Sequence, residues 1–147
     1  MSKPIHSLAA RYYTDPQIFK LEQKGLLAKT WQFGCHVSEL PEPGCYATFE
    51  IAGESLFAIR GKDDQIRVFY NVCQHRAHQL VSGLGKSSVV ACPYHAWTYE
   101  LTGELRAGPN IKVVEGFDKS GICLTEVRAE EFVGFVFVNL DPTAAPM

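Results

Sequence analysis

Two pairs of metal-binding residue types lie in the middle of this chain, and they constrain its fold more than any other feature. The first pair is Cys73 and His75, and the second is Cys92 and His95, which together give the pattern C-x-H-x16-C-x-x-H. Each pair follows directly on a run rich in β-forming residues, so each is expected to enter a loop at the end of a strand. For these four residues to act together, the fold must hold two such loops side by side on a β framework.

The residue types in the two pairs limit what the loops can bind. Each pair supplies one thiolate and one imidazole, so two facing loops can place both cysteines on one metal ion and both histidines on another. That is the ligand set of a Rieske [2Fe–2S] centre. A single zinc ion also accepts two cysteines and two histidines, but zinc fingers usually pair like with like. The mixed order favours the cluster over zinc, and the position of both pairs at strand ends disfavours four unrelated buried side chains.

Short β-rich runs separated by turn residues fill most of the chain after position 30. The runs cover residues 31–37, 45–51, 55–60, 66–70, 88–92, 97–100, 122–127 and 132–140. Glu130 and Glu131 are interpreted as a charged turn. Gly83 and Gly85 are also interpreted as turn residues, since a phosphate-binding loop would need a glycine at position 80, where this chain has leucine. Many short strands with frequent turns predict an all-β fold, an antiparallel sandwich or barrel.

One helix is predicted before the strands begin. Asp15 is a candidate N-cap, and Pro16 suits the first helical position because no N–H is needed there. Apolar residues follow near one stripe, and Gly25 is expected to interrupt or bend the segment. The stripe consists of Ile18, Phe19, Leu21, Leu26 and Leu27. We therefore divide the chain into a helical lead-in at residues 1–30, a cluster-binding domain at 31–142 and a tail at 143–147.

Charge and cysteine content exclude several classes of protein. Fourteen Lys and Arg face sixteen Asp and Glu, and no segment forms a basic cluster, so we expect no nucleic-acid partner. The sequence has no apolar run long enough to span a bilayer and no apolar segment near its start, which predicts a cytoplasmic protein. An odd number of cysteines in that reducing compartment predicts no disulfides, with Cys35, Cys45 and Cys123 as buried apolar residues.

The residues around the two pairs resemble a known family. Residues 71–78 (NVCQHRAH) and 92–99 (CPYHAWTY) are similar to the cluster signature of Rieske non-haem iron oxygenases, most specifically the large (alpha) subunit of the ring-hydroxylating type. The resemblance covers roughly residues 12–142. Within the family, these segments look most like members acting on quaternary ammonium compounds such as betaines, carnitine and choline. The resemblance implies a Rieske domain whose ligand loops form a small rubredoxin-like subdomain at one end of the sandwich.

The resemblance also implies a function in electron transfer. A [2Fe–2S] cluster on Cys73, His75, Cys92 and His95 would pass single electrons from a reductase or ferredoxin to a mononuclear non-haem iron that activates O2 for hydroxylation or oxidative N-demethylation. In the family the histidine at the position of His95 contacts an acidic residue of a neighbouring subunit, and the full-length proteins are expected to be homo-trimers. A stand-alone Rieske-type ferredoxin is the alternative. Residues expected to pack around the ligands are Arg76, His78, Tyr94 and Trp97.

The catalytic iron itself has no candidate site in this sequence. Its ligands in the family are two histidines and one carboxylate in a downstream domain, whereas the last of the five histidines here is His95. We therefore expect the chain to be a fragment, a split subunit or an electron carrier, and not an oxygenase by itself.

The ligand loops also predict the redox potential. Respiratory Rieske proteins carry an extra cysteine in each loop, joined as a disulfide, whereas the corresponding neighbourhoods here hold residues 76–78 and 93–94, none of which is cysteine. With fewer polarising groups near the sulfurs, we expect a potential toward the low end of the Rieske range of about −150 to +300 mV. Such a centre would accept electrons from a flavin reductase or ferredoxin and not from quinol.

Overall fold

The computed structural model describes residues 7–109, 111, 113 and 115–147. This part of the chain holds two short α-helices and ten strands, with one 3-10 helix before the first strand (Leu27–Lys29) and another after it (Val37–Glu39). The helices are α1 (Arg11–Thr14) and α2 (Pro16–Gly25), and the strands are β1 (Gln32–His36), β2 (Cys45–Ile51), β3 (Glu54–Arg60), β4 (Ile66–Tyr70), β5 (Leu84–Lys86), β6 (Val90–Ala91), β7 (Thr98–Tyr99), β8 (Leu105–Ala107), β9 (Glu126–Phe132) and β10 (Phe135–Asn139).

The strands form two antiparallel sheets. The larger has seven strands in the order β1-β10-β9-β4-β3-β2-β5, and the smaller has three in the order β6-β7-β8. β1 also lies against β2, although four strands separate them in the hydrogen-bonded order, so the large sheet curls back on itself. This architecture confirms the prediction of an all-β antiparallel fold in which the α-helices precede the strands.

Two apolar cores share the central strands of the large sheet. On β3, Leu56 and Ala58 belong to one core, whereas Phe57 and Ile59 belong to the other. Successive residues of a strand point to opposite faces, so β3 is buried on both sides. The core around Phe57 continues into the small sheet and contains Cys73 and Cys92. The two cysteines are therefore held by the same packing that joins the two sheets.

The helix α2 begins as the sequence predicts. The Asp15 carboxylate accepts a hydrogen bond from the backbone N–H of Gln17 at 2.8 Å, and Pro16 is the first helical residue. Gly25 ends the helix and does not bend it. The apolar stripe has no buried member within α2, and Leu21 is 71% exposed. Residues 1–6 of the predicted lead-in lie outside the described residues.

Several predicted strand boundaries are wrong. The apolar run predicted at 132–140 contains a two-residue hairpin turn at Val133 and Gly134, both with positive φ (49° and 78°), which separates β9 from β10. Glu130 and Glu131 are strand residues of β9 and not a charged turn. The segment around Gly85 is strand β5, which pairs with β2, and not only a turn. A β-branched residue rarely adopts positive φ, so the sequence carries no clear signal for the Val133 turn.

Candidate metal centre

The first ligand loop, residues 73–78, is closed by backbone hydrogen bonds at its base. The N–H of Cys73 donates to the carbonyl of His78 at 2.8 Å, and the N–H of Ala77 donates to the carbonyl of Cys73 at 2.9 Å. Ala77 has a φ of +52°, which places its backbone in the left-handed region. His75 lies at the exposed tip of this loop.

The second ligand loop, residues 92–97, repeats the same backbone arrangement. The N–H of Cys92 donates to the carbonyl of Trp97 at 2.7 Å, and the N–H of Ala96 donates to the carbonyl of Cys92 at 2.9 Å. Ala96 has a φ of +54°, nearly the same as that of Ala77. The fourth residue after each cysteine is thus an alanine in the left-handed region. The two loops are equivalent in fold although their histidines differ by one position.

The two loops bring the histidines together. Nδ1 of His75 lies 3.2 Å from Nδ1 of His95, with the ring centroids 4.9 Å apart. Burial lowers the pKa of His95, and the nearby His75 and Arg76 lower it further. The lowered pKa favours the neutral form of His95, and the facing Nδ1 atoms of the two rings are placed to share one metal ion as ligands.

The cysteines lie on the inner side of the same loops. Cys73 is 2% and Cys92 3% exposed. The hydroxyl of Tyr99 lies 3.2 Å from Sγ of Cys73 and accepts a hydrogen bond from the N–H of Gln74 at 3.1 Å. With its acceptor position occupied, the hydroxyl can donate its proton to the sulfur when Cys73 is a thiolate. Burial raises the pKa of Tyr99, and the contact with Cys73 raises it further, so the phenol stays protonated.

This donor arrangement fits a [2Fe–2S] cluster better than a single ion. The thiols are buried among apolar side chains, whereas the imidazoles lie on the accessible side of the loops. An inner pair of sulfurs and an outer pair of nitrogens match the two irons of a Rieske centre.

The residues predicted to pack around the ligands occupy different positions. Trp97 stacks on His75 with centroids 4.8 Å apart and an interplanar angle of 9°, and Tyr94 stacks on His95 at 3.7 Å and 26°. The His78 ring lies against Tyr94, with the ring centroids 5.4 Å apart and the planes tilted by 38°. Arg76 is exposed, and its charge contributes to the lowered pKa of His95.

Two residues that support the site were not among the sequence-predicted set. Tyr99 ends the second signature segment and was not expected to contact a ligand, yet its hydroxyl lies 3.2 Å from Sγ of Cys73. Asn71 is 1% exposed, and its Oδ1 accepts hydrogen bonds from the N–H groups of Leu80 and Val81, both at 3.1 Å. Asn71 thereby ties the chain leaving the first loop to the strand entering it. Both residues could have been found only from their chemistry, because a polar side chain buried beside a ligand usually forms a hydrogen bond.

An open groove of about 520 Å³ lies beside the histidines. Its apolar lining surrounds the accessible edges of His75 and His95, which allows another protein surface to approach them. The other lining residues are Pro93, Tyr94, Ala96, Trp97, Pro109, Ile111 and Phe117.

Comparison with protein families agrees with this geometry. The profile of the Rieske [2Fe–2S] domain matches residues 30–118, more than half of the 147-residue chain. The chain belongs to this family. The matched region begins after α2 and includes both ligand loops and the small sheet of this Rieske domain. The predicted cofactor, a Rieske [2Fe–2S] cluster, is therefore confirmed at the level of the family.

Curated relatives of this Rieske domain are oxygenase subunits. The carnitine monooxygenase oxygenase subunit of Escherichia coli (strain K12) is 48% identical over 139 residues, which are 94% of this chain and 37% of the relative. The 2-aminobenzenesulfonate 2,3-dioxygenase subunit alpha of Alcaligenes sp is 41% identical over 146 residues, 97% of this chain and 37% of the relative. The chain thus spans little more than a third of the length of these relatives.

A solved structure shows the same fold. A quaternary ammonium Rieske monooxygenase, described as giving insight into carnitine oxidation by gut microbiota and inter-subunit electron transfer, matches with a TM-score of 0.86 and 45% identity. The match covers 92% of this chain and 38% of that chain. The predicted resemblance to oxygenases of quaternary ammonium compounds is confirmed.

The helices among the described residues are all too short or too polar to span a membrane.

Proposed function

We propose that Cys73, His75, Cys92 and His95 hold the [2Fe–2S] cluster and that the chain is the electron-transfer domain of an oxygenase component. The observation that carries the proposal is the 3.2 Å approach of the two Nδ1 atoms above a buried pair of cysteines. When bound, a Rieske cluster takes up and releases one electron at a time.

The proposed site has a buried side, which the cysteines form, and an accessible side, which the histidines form. Cys73 and Cys92 lie in the core that joins the sheets, so the thiolates are kept from water. Tyr99 directs its hydroxyl at the Cys73 sulfur, which stabilises negative charge there. His75 and His95 border the open groove, so an electron acceptor or donor can reach the imidazole edges.

The donor and the acceptor of the electrons are proposed from the relatives. Electrons would come from a reductase or ferredoxin and go to a mononuclear iron that activates O2, in a neighbouring subunit of a homo-trimer. The inter-subunit electron transfer described for the matched monooxygenase supports this arrangement. Residues 96–147 contain no histidine, so a two-histidine iron site would have to be supplied by another polypeptide segment. The five free cysteines suit a reducing, cytoplasmic location.

The substrate class proposed for the complete oxygenase is a quaternary ammonium compound such as carnitine. The identity of 48% to a carnitine monooxygenase subunit, against 41% to an arenesulfonate dioxygenase subunit, supports this choice. A sulfonated aromatic ring is the second candidate, favoured by the alignment of the 2-aminobenzenesulfonate 2,3-dioxygenase subunit over 97% of this chain.

Metal and sulfide analysis tests the site directly. The purified chain should contain two irons and two acid-labile sulfides and give the visible and EPR spectra of a cluster with mixed sulfur and nitrogen ligation. A colourless protein with one zinc and no sulfide would overturn the proposal. A second assay mixes the reduced chain with an oxygenase partner whose own Rieske cluster has been removed by substitution of a cluster-ligand histidine. Oxidation of the chain by this partner supports the oxygenase role, whereas no oxidation supports a stand-alone carrier.

A further inference from the structure

Aromatic rings of the two ligand loops contact each other across the site. Trp97 of the second loop lies on His75 of the first. In the opposite direction, His78 of the first loop lies against Tyr94 of the second, and Tyr94 lies on His95. Trp97 and His78 occupy the same position, five residues after the cysteine of their respective loops. Equivalent positions thus reach across to the partner loop in both directions.

The orientation of His95 needs such support. A metal-binding histidine usually donates its second ring N–H to a carboxylate or carbonyl, which fixes the ring plane. Among the described residues, the His95 ring has a hydrogen-bond partner only at Nδ1, which faces His75. The described residues therefore give its other nitrogen no partner that fixes the ring plane. The ring contacts of His95 are the edge contact with His75 at 4.9 Å and the stacked ring of Tyr94 at 3.7 Å, and only the stacked ring lies parallel enough to limit rotation of the ring plane.

The outer end of this stack is tied to the backbone. Nδ1 of His78 lies 2.6 Å from the carbonyl oxygen of Gln79, which fixes the ring that contacts Tyr94. Tyr94 is 54% exposed and would otherwise be free to change rotamer on the surface. Contacting aromatic rings stabilise each other beyond the burial of their surface. The order of support therefore runs from the Gln79 carbonyl to His78, then Tyr94, then His95.

We propose that His78 and Tyr94 are positioning residues that together set the ring plane of His95. The proposal rests on the function above, in which His95 is a ligand of the cluster. His78 acts only through Tyr94, so its effect should disappear when the ring at position 94 is removed.

The first test replaces the middle ring. Tyr94→Leu removes the aromatic face at similar bulk, whereas Tyr94→Phe keeps it, and Tyr13→Leu is a matched control at a tyrosine that is 71% exposed on α1. Pulsed EPR of the reduced protein reports the nitrogen couplings of the two imidazoles. We expect Tyr94→Leu to shift or broaden one of the two couplings, with Tyr94→Phe and Tyr13→Leu like the wild type. Couplings unchanged in Tyr94→Leu would overturn the proposal.

The second test measures the dependence of His78 on Tyr94. His78→Leu should shift the same coupling in the wild-type background, and His78→Leu added to Tyr94→Leu should cause no further shift. An equal shift in both backgrounds would overturn the proposal. If Tyr94→Leu loads no cluster, loss of iron with Tyr94→Leu but not with Tyr94→Phe supports the aromatic role, and equal loss in both contradicts it. Absence of cluster in the wild type would instead refute the proposed function.

Discussion

The hydroxyl of Tyr99 lies 3.2 Å from Sγ of Cys73, although the two residues are 26 positions apart in the chain. Tyr99 is fully buried on β7, and its oxygen also accepts the N–H of Gln74 in the first ligand loop. One side chain of the small sheet thereby fixes both the position and the electrostatic environment of a cysteine in the neighbouring loop.

Tyr99→Phe should lower the midpoint potential of the cluster. The hydroxyl donates to a sulfur that carries more negative charge in the reduced state, so its loss destabilises the reduced state more. A difference of about 1 kcal/mol between the two states corresponds to about 40 mV for one electron. A redox titration measures it, with Tyr70→Phe as control on β4. An unchanged potential in a fully loaded Tyr99→Phe would show that the hydroxyl does not bond the sulfur.

Asn71→Ala should weaken the first ligand loop. The substitution leaves the buried N–H groups of Leu80 and Val81 without their acceptor, at a cost of about 1–3 kcal/mol each. Urea unfolding gives the change in free energy of unfolding, and iron content gives the effect on loading. Ser55→Ala removes only the 3.4 Å contact to the Asn71 amide and should cost far less. Equal losses in the two variants would contradict this role for Asn71.

Ala77→Gly and Ala96→Gly should each stabilise the metal-free protein. Both alanines have φ near +53°, where a side chain costs roughly 1–2 kcal/mol that glycine avoids, although glycine also gains entropy in the unfolded chain. We therefore expect a net gain of up to about 1 kcal/mol by urea unfolding. Ala107→Gly on strand β8, with ordinary strand geometry, should destabilise instead. Destabilisation by all three glycines would mean that the loops are not strained as described.

Asp63→Asn should reduce stability above about pH 4 and have no effect at the acid limit. The hydrogen bond from Arg67 lowers the pKa of Asp63 to about 2. A lowered pKa in the folded state adds stability above the unfolded pKa of about 3.9, and this stability is lost as pH falls through 2. The effect should be small because the pair is exposed. Asp64→Asn is the control, and an equal pH dependence in both variants would contradict the assignment.

The parts of the fold that sequence predicts are those with local chemical signals. The N-cap at Asp15, the strands β2 and β4, and the two ligand loops follow from capping, alternation and motif spacing. The turn at Val133 and Gly134 was missed because it interrupts an apolar run with a β-branched residue. The strand character of Glu130 was missed because its partner, Phe137 on β10, is fixed only by the tertiary fold.

The candidate site shows the same division. The motif identifies Cys73, His75, Cys92 and His95, since cluster chemistry dictates residue types at fixed spacing. The contacts of Tyr99 and His78 depend on how the loops face each other, which no local pattern encodes. Leu21 and Phe19 of the apolar stripe are 71% and 53% exposed, so the stripe does not mark a face of α2 that is packed on the core of the described residues. The low redox potential stays a prediction, and the Tyr99 hydroxyl is a polarising group that the sequence argument had not counted.

Pulsed EPR of the reduced protein grown with 15N-histidine tests the ligand assignment most directly. We predict two strong histidine nitrogen couplings, one of which is lost in His95→Cys as the visible spectrum moves toward that of an all-cysteine cluster. His78→Ala should retain the cluster and two histidine nitrogen couplings, with one of them shifted as in His78→Leu. A wild-type cluster without nitrogen couplings, or loss of the cluster in His78→Ala, would contradict the assignment of His75 and His95 as its ligands.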